Sequence, residues 1–167
     1  MNEKNNKVYI VGIGASAGGL EAISQLIGHL KRDIPCAYVV LQHLSPNHRS
    51  MMVEILARET SLTVKQAEQG DLPQQGVIYV VPANYNALLR EGRLVLITAE
   101  PEVTPKPSIN QFLFSLASEE GEAAVGIILS GTGSDGVAGL RAIQGRVATP
   151  LHKRRNPPNT TACRVPR

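Results

Sequence analysis

The strongest constraint on this chain is a stretch near its N-terminus in which an apolar run meets closely spaced glycines. The run Val8–Val11 is short and rich in β-branched residues, which is typical of a strand buried on both faces. Glycines at positions 12, 14, 18 and 19 then surround one serine, Ser16. Apolar residues follow at helical spacing from Leu20. The sequence therefore predicts a strand, a glycine turn and a helix, with Ser16 at the bend.

Such a bend has three possible uses, and the turn alone does not choose among them. Backbone N–H groups at a helix N-terminus bind a phosphate or an oxyanion, a serine held on the turn acts as a nucleophile, and a plain connection does neither. The glycine pattern is loosely similar to the dinucleotide-binding fingerprint, which requires an acidic residue at the end of the second strand. That strand ends in Gln42-His43. A non-catalytic nucleotide- or partner-binding module is therefore the second hypothesis.

Length and composition indicate one globular domain. A chain of 167 residues is long enough to bury a substantial core, and no apolar run is long enough to cross a bilayer. Residues 1–7 are polar, are expected to be disordered and lack the apolar centre of a signal peptide. Cys36 and Cys163 are too few for a disulfide framework or a metal cluster. We expect a cytoplasmic protein without membrane insertion and without a metal site.

The net charge of +3 comes from the end of the chain. Six Lys or Arg residues and no Asp or Glu follow Gln144. Without those six, eleven basic residues stand against fourteen acidic ones, so that residues 1–144 carry a net charge of −3. A nucleic-acid site would rest on this tail alone, without interleaved aromatic residues or a binding motif. We therefore expect no nucleic-acid partner.

Apolar runs and helical patterns alternate along the rest of the chain. Further strands are predicted at Ala37–Leu41, Leu62–Lys65, Val77–Val81, Leu94–Ile97 and Val125–Leu129, and helices at about Gly19–Arg32, from Met51, from Ile109 and from Val137. We assign Val77–Val81 and Leu94–Ile97 to a small strand-rich excursion. The alternation predicts an α/β fold, doubly wound, with a mostly parallel sheet and helices on both faces.

Three of these strands are followed by residues with catalytic potential: Ser16, His43 and Asp135. Active sites of open α/β sheets collect at the carboxyl ends of the strands, and a Ser-His-Asp triad is recognised by geometry rather than by chain order. Each residue also has a simpler interpretation: a serine or an aspartate that caps a helix, and a hydrogen-bonded histidine without a catalytic role. The coincidence of all three at strand ends favours a triad.

Four segments carry a family resemblance: GIGASAGG at 12–19, LQHLSP at 41–46, KPSINQFLFSLA at 106–117 and GIILSGTGSDG at 126–136. Together they resemble the catalytic domain of the bacterial chemotaxis protein-glutamate methylesterases of the CheB type. The sequences of these segments are most similar to the variant that is fused to a receptor methyltransferase. The resemblance implies hydrolysis of glutamate γ-methyl esters on chemoreceptors, often with glutamine deamidation, and requires neither metal nor cofactor.

The resemblance also implies the role of each site residue. Ser16 is the expected nucleophile, His43 the general base and Asp135 the residue that orients the histidine. We expect the oxyanion to be bound by backbone N–H groups at Ala17 and in the loop that contains Thr132 and Gly133.

The resemblance covers the domain that we place at residues 8–144, and the two ends of the chain depart from the family pattern. The usual form carries an N-terminal receiver domain, whereas only seven residues precede the first predicted strand. Residues 145–167 are basic and proline-rich, and we expect them to be disordered. Read in a shifted frame, codons 159–167 can encode Tyr-Asp-Gly-Met-Pro-Arg-Ser-Ala, the sequence expected of the family at this point. We therefore expect the tail to be a frameshift product, the sheet to be incomplete at its C-terminal end and the activity of the truncated chain to be weak or lost.

Overall fold

The computed structural model describes residues 7–16, 18–43, 51–99, 107–129 and 134–145. Within these ranges the strands are β1 (Tyr9–Ala15), β2 (Cys36–Gln42), β3 (Thr63–Gln66), β4 (Val77–Val80), β5 (Tyr85–Arg90), β6 (Arg93–Thr98) and β7 (Val125–Leu129). The α-helices are α1 (Leu20–Ile27), α2 (Met52–Glu59), α3 (Ile109–Glu120) and α4 (Val137–Gln144), and a short 3₁₀ helix spans Gly121–Ala123. The predictions for residues 1–6 and for the tail beyond Gly145 lie outside the described residues.

Five strands form one parallel sheet in the order β3-β4-β2-β1-β7. Strand β1 pairs along its whole length with β2, from Tyr9 opposite Cys36 to Ala15 opposite Gln42, and on its other side with β7. Its residues after Tyr9 are buried, as the apolar run predicts. The α/β prediction is confirmed.

Helices cover both faces of this sheet. On one face, α1 and α2 bury Ile23, Ile27, Met52 and Leu56 against the sheet. On the other face, α3 and α4 bury Phe112, Leu113, Leu116, Leu140 and Ile143. The doubly wound arrangement is therefore confirmed. In the described part of the chain, every helix is too short or too polar to cross a membrane.

The assignment of the small strand-rich excursion was wrong in one respect. Strand β4 is not part of it, because it lies in the main sheet between β3 and β2. The excursion is the antiparallel hairpin of β5 and β6. Strand β5 was missed because Tyr85–Arg90 contains no β-branched residue. The hairpin turn has φ values of 49° at Glu91 and 71° at Gly92, and two successive positive values are typical of a type I′ turn.

The position of two glycines also differs from the prediction. Gly12 and Gly14 belong to β1 and not to the turn that follows it. A Cβ atom at Gly14 would lie 2.5 Å from Cγ2 of Ile109, and one at Gly12 would lie 2.8 Å from Cδ2 of Leu113. These two glycines therefore allow α3 to pack directly on β1.

Helix α1 is shorter than predicted, since it ends at Ile27 rather than near Arg32. Gly28 follows as its C-terminal cap and donates its N–H to the carbonyl of Ser24. A glycine favours the end of a helix because it loses more backbone conformational entropy in the helical state than other residues do.

Candidate active site

The carboxyl ends of β1 and β2 bring Ser16 and His43 to equivalent positions on neighbouring strands. Their preceding residues, Ala15 and Gln42, are opposite each other in the parallel ladder. The N–H of His43 donates to the carbonyl of Ala15 at 3.0 Å, so the pairing continues to the residue after β2. Neighbouring strands in a sheet are about 4.8 Å apart. The two residues are therefore neighbours at one edge of the sheet.

The bend after β1 has the predicted strand, turn and helix. The N–H of Gly19 donates to the carbonyl of Ser16 at 2.9 Å, and α1 begins at the next residue. Gly18 has a φ of 87°, which a residue with a side chain rarely adopts. Ser16 is partly buried at the start of this turn. The glycines at 18 and 19 thus form the turn, while those at 12 and 14 serve packing.

Asp135 reaches the same edge from the other side of β1. It lies just before α4, in the segment that follows β7, and its Oδ2 is 2.9 Å from Nε2 of His43. Both side chains are largely shielded from solvent, with exposed fractions of 14% for His43 and 11% for Asp135. The structure therefore joins two of the three residues of the predicted triad by a hydrogen bond between side chains 92 positions apart.

The Asp135 carboxylate also caps the N-terminus of α3. Its Oδ2 accepts the N–H of Ile109 at 2.8 Å, and its Oδ1 accepts the N–H of Asn110 at 2.9 Å. Burial of the carboxyl group raises its pKa, but the hydrogen bonds from His43, Asn110 and Ile109 together outweigh this, and the pKa of Asp135 lies below its usual value. The positive end of the helix dipole favours a negative charge at this position. Asp135 is therefore an ionised acceptor at neutral pH.

The role of α3 in the site was not predicted from the sequence. Asn110 returns the contact, because its Oδ1 accepts the N–H groups of Gly136 and Gly139, each at 2.9 Å. One local signal was present in the Ser-x-x-Gln pattern of a helix start. Ser108 is the N-cap of α3, and its Oγ accepts the N–H of Gln111 at 3.3 Å. This pattern locates the helix N-terminus but does not indicate which carboxylate lies on it.

The remaining predicted site residues, Ala17, Thr132 and Gly133, lie outside the described residues. Within the described ranges, no three His, Cys, Asp or Glu side chains are close enough together to hold a metal ion.

Comparison with known proteins decides the family. The profile of the family described as CheB methylesterase matches residues 11–154, which is most of the chain. The chain belongs to the CheB methylesterase family. The match includes Ser16, His43 and Asp135, and it continues past Gln144, the predicted end of the domain.

Individual relatives agree with this assignment. The chain is 36% identical over 143 residues to a protein-glutamate methylesterase/protein-glutamine glutaminase of Paramagnetospirillum magneticum, covering 85% of this chain and 40% of the relative. A protein of the same name from Archaeoglobus fulgidus is 34% identical over 138 residues, covering 80% of this chain and 40% of the relative. The chain therefore spans about 40% of the length of the curated CheB-type relatives that it matches.

The fold is similar to that of a solved member of the family. The crystal structure of the Thermotoga maritima CheB methylesterase catalytic domain matches with a TM-score of 0.76 and 27% sequence identity. The match covers 84% of this chain and 76% of the solved chain. The parallel sheet and its helices are thus similar to those of a solved CheB catalytic domain.

Proposed function

We propose that this chain hydrolyses glutamate γ-methyl esters on chemoreceptors and that Ser16, His43 and Asp135 carry the reaction. The observation that supports this best is the hydrogen bond of 2.9 Å between Nε2 of His43 and Oδ2 of Asp135, at the strand end next to Ser16. Membership of the CheB methylesterase family and the names of the relatives support the same reaction.

The hydrogen bond to Asp135 determines which nitrogen of the neutral His43 ring carries the proton. A carboxylate accepts, so Nε2 carries the proton, and in a neutral imidazole Nδ1 is then the unprotonated nitrogen. In the proposed reaction Nδ1 takes the proton from Oγ of Ser16 as that oxygen bonds to the ester carbonyl carbon. The histidine then gives the proton to the methoxy oxygen as the bond between that oxygen and the carbonyl carbon breaks, so that methanol departs and an acyl-enzyme remains.

A water molecule completes the cycle by the same proton transfers. His43 takes a proton from the water as the water oxygen bonds to the acyl carbon, and gives the proton to Oγ of Ser16 as the bond between Oγ and that carbon breaks. The products are a glutamate carboxylate and the regenerated serine. If the leaving group is ammonia in place of methanol, the same steps deamidate a glutamine, which is the second activity in the names of the relatives.

The role of Asp135 in this proposal is to hold the ring and to stabilise its positive charge. Its carboxylate is fixed by the N–H groups of Ile109 and Asn110 as well as by His43. A carboxylate with a lowered pKa remains charged over the pH range in which an esterase works. The anion is thus already in place before the imidazolium forms.

The test is methanol release from a methylated chemoreceptor incubated with the full chain. Ser16→Ala should abolish release, and Asp135→Asn should lower the rate by about 10²–10⁴-fold, since an amide does not favour the required tautomer. Ser24→Ala is a matched control, because Ser24 lies on α1 of the same strand-turn-helix unit, away from the strand end. Unchanged methanol release by Ser16→Ala would overturn the proposal.

A further inference from the structure

The segment 106–117 is one of the four that carry the family resemblance, but none of its side chains takes part in the proposed reaction. Within it, Asn110 is the second residue of α3 and lies beside Asp135. We propose that Asn110 is a positioning residue, which holds the turn that presents Asp135 to His43. This inference rests on the proposed function, since it concerns how the same site is assembled.

Asn110 supplies the cap that α4 lacks. Helix α4 begins after Gly136 with no side-chain hydrogen bond from its own N-cap residue. The side chain of Asn110, from another helix, accepts the N–H groups of Gly136 and Gly139 instead. Asparagine is among the residues that best satisfy the free N–H groups at a helix N-terminus. The start of α4 is therefore fixed by α3.

The contact acts directly on the peptide that follows Asp135. Gly136 is the next residue in the chain, and its φ of 101° is in the region that favours glycine. Glycine adopts this conformation without steric cost but also has a wide choice of others, so a hydrogen bond to its N–H restricts the peptide. Because the hydrogen bond to Asn110 holds the N–H of Gly136, it also sets the direction in which Asp135 leaves the backbone.

The arrangement is reciprocal. Asp135 accepts two N–H groups from the start of α3, and Asn110 accepts two from the start of α4. The helices approach closely beside this contact, since a Cβ atom at Gly139 would lie 2.5 Å from Cβ of Leu113. Asp135, just before α4, thus caps α3, and Asn110 of α3 caps α4. His43 forms its hydrogen bond with the first of these caps, Asp135.

A residue that acts through Asp135 should affect the rate rather than substrate affinity. We expect Asn110→Ala to lower kcat by about 10–100-fold and to leave KM within about twofold, because small displacements of a catalytic group have effects of this size. Asn110→Asp keeps an acceptor oxygen on a side chain of the same length and should recover kcat to within about threefold. Gln111→Ala is the matched control, since it removes an exposed amide from the next position of α3.

A double-mutant cycle separates positioning from a general structural role. If Asn110 acts through Asp135, Asn110→Ala should change kcat by less than about twofold in an Asp135→Asn background. A residue that only stabilises the fold would have the same effect in both backgrounds. Equal effects in both backgrounds, or a kcat of Asn110→Ala equal to that of the wild-type chain, would overturn the proposal.

A second measurement tests the contact without activity. In the full chain labelled with ¹⁵N-histidine, the Nε2 proton of His43 should give a strongly downfield signal from its hydrogen bond to Asp135. The signal should be lost or exchange-broadened in Asn110→Ala and kept in Asn110→Asp and Gln111→Ala. If Asn110→Ala does not fold, Asn110→Ser, which has a shorter acceptor, takes its place. A signal unchanged in the folded variant would refute the positioning role.

The two proposals fail in different ways. If Ser16→Ala remains fully active, the proposed reaction is wrong, whatever Asn110 does. If Ser16→Ala is inactive while Asn110→Ala has the kcat and the histidine signal of the wild-type chain, the reaction stands and the positioning role is wrong.

Discussion

Replacing Gly14 with alanine tests how closely α3 packs on the sheet and how far this packing supports the proposed site. The added Cβ atom would lie 2.5 Å from Cγ2 and 2.9 Å from Cδ1 of Ile109, and 2.9 Å from Cδ1 of Ile128. Real Cβ contacts are almost never shorter than 3.0 Å. The start of α3 must therefore move, because the β-branched side chain of Ile109 has one strongly preferred χ1 rotamer in a helix and Cγ2 cannot move away without leaving it.

The expected cost follows from this overlap. Adding a methyl group to a tightly packed core typically destabilises a protein by about 1–3 kcal/mol. For a chain of this size each kcal/mol lowers Tm by about 2–4 °C, so Gly14→Ala should lower Tm by about 2–12 °C. The N–H of Ile109 is 2.8 Å from Oδ2 of Asp135, so a displaced Ile109 also disturbs the carboxylate that His43 binds. We expect kcat to fall by up to about 10²-fold.

The assay combines thermal unfolding, followed by circular dichroism, with methanol release from a methylated chemoreceptor. Gly145→Ala is the matched control, since its Cβ would meet only backbone oxygens at 3.5 Å and 3.8 Å and its φ is −62°. This control should be neutral or stabilising by about 0.4–1 kcal/mol. Ile109→Ala removes the two atoms that Gly14→Ala would meet on that residue, at a cost of about 2–5 kcal/mol on its own.

The two substitutions should therefore couple. In the Ile109→Ala background, Gly14→Ala should cost at least about 1 kcal/mol less than in the wild-type chain. A Tm for Gly14→Ala equal to that of the wild-type chain would refute the argument. Strictly additive costs for the pair would also refute it, because the clash with Ile109 would then not be the cause.

Three further predictions concern the groups around the site and the first residue of β2. Because the folded pKa of Asp135 is lowered, its carboxylate stabilises the fold above its unfolded pKa of about 3.9 and loses this contribution as the pH falls through the folded value. The difference in free energy of unfolding between the wild-type chain and Asp135→Asn should thus shrink below about pH 4, and a constant difference from pH 6 to pH 2 would contradict this. Ser108→Ala removes the N-cap of α3 and should cost about 0.5–2 kcal/mol in urea unfolding, whereas Gln111→Ala should cost much less; equal costs would exclude the cap as the reason. Burial raises the pKa of the Cys36 thiol more than its hydrogen bond with Tyr38 lowers it, so peptide mass analysis should show slower alkylation of Cys36 at neutral pH in the folded chain than in urea, and equal rates would contradict this.

Much of the fold could be predicted from local patterns. The β-branched runs identify β1, β2, β4 and β7, and the alternation with helices gives the parallel sheet. The place of β4 could not be predicted in this way, because the partners of a strand depend on contacts between distant segments. The hairpin strand β5 was missed since it is rich in leucine and alanine, which do not mark a strand by propensity.

Part of the candidate site could likewise be predicted from the sequence, and part is known only from the structure. The position of Ser16, His43 and Asp135 after predicted strands indicates that they meet at one edge of a parallel sheet. The structure adds the hydrogen bond between His43 and Asp135, while the catalytic role of Ser16 stays a prediction. The turn glycines could be recognised because a tight bend before a helix needs them locally, as at Gly18.

Only the tertiary structure decided what the other glycines and α3 contribute. Positions 12 and 14 require glycine because α3 packs directly on β1, and that helix begins more than ninety residues later. Asn110 meets the start of α4 across 26 positions of the chain. Neighbouring residues along a sequence fix the backbone through sterics and periodicity, so those features can be read locally. A side chain that caps another helix satisfies N–H groups that only the folded packing brings within reach.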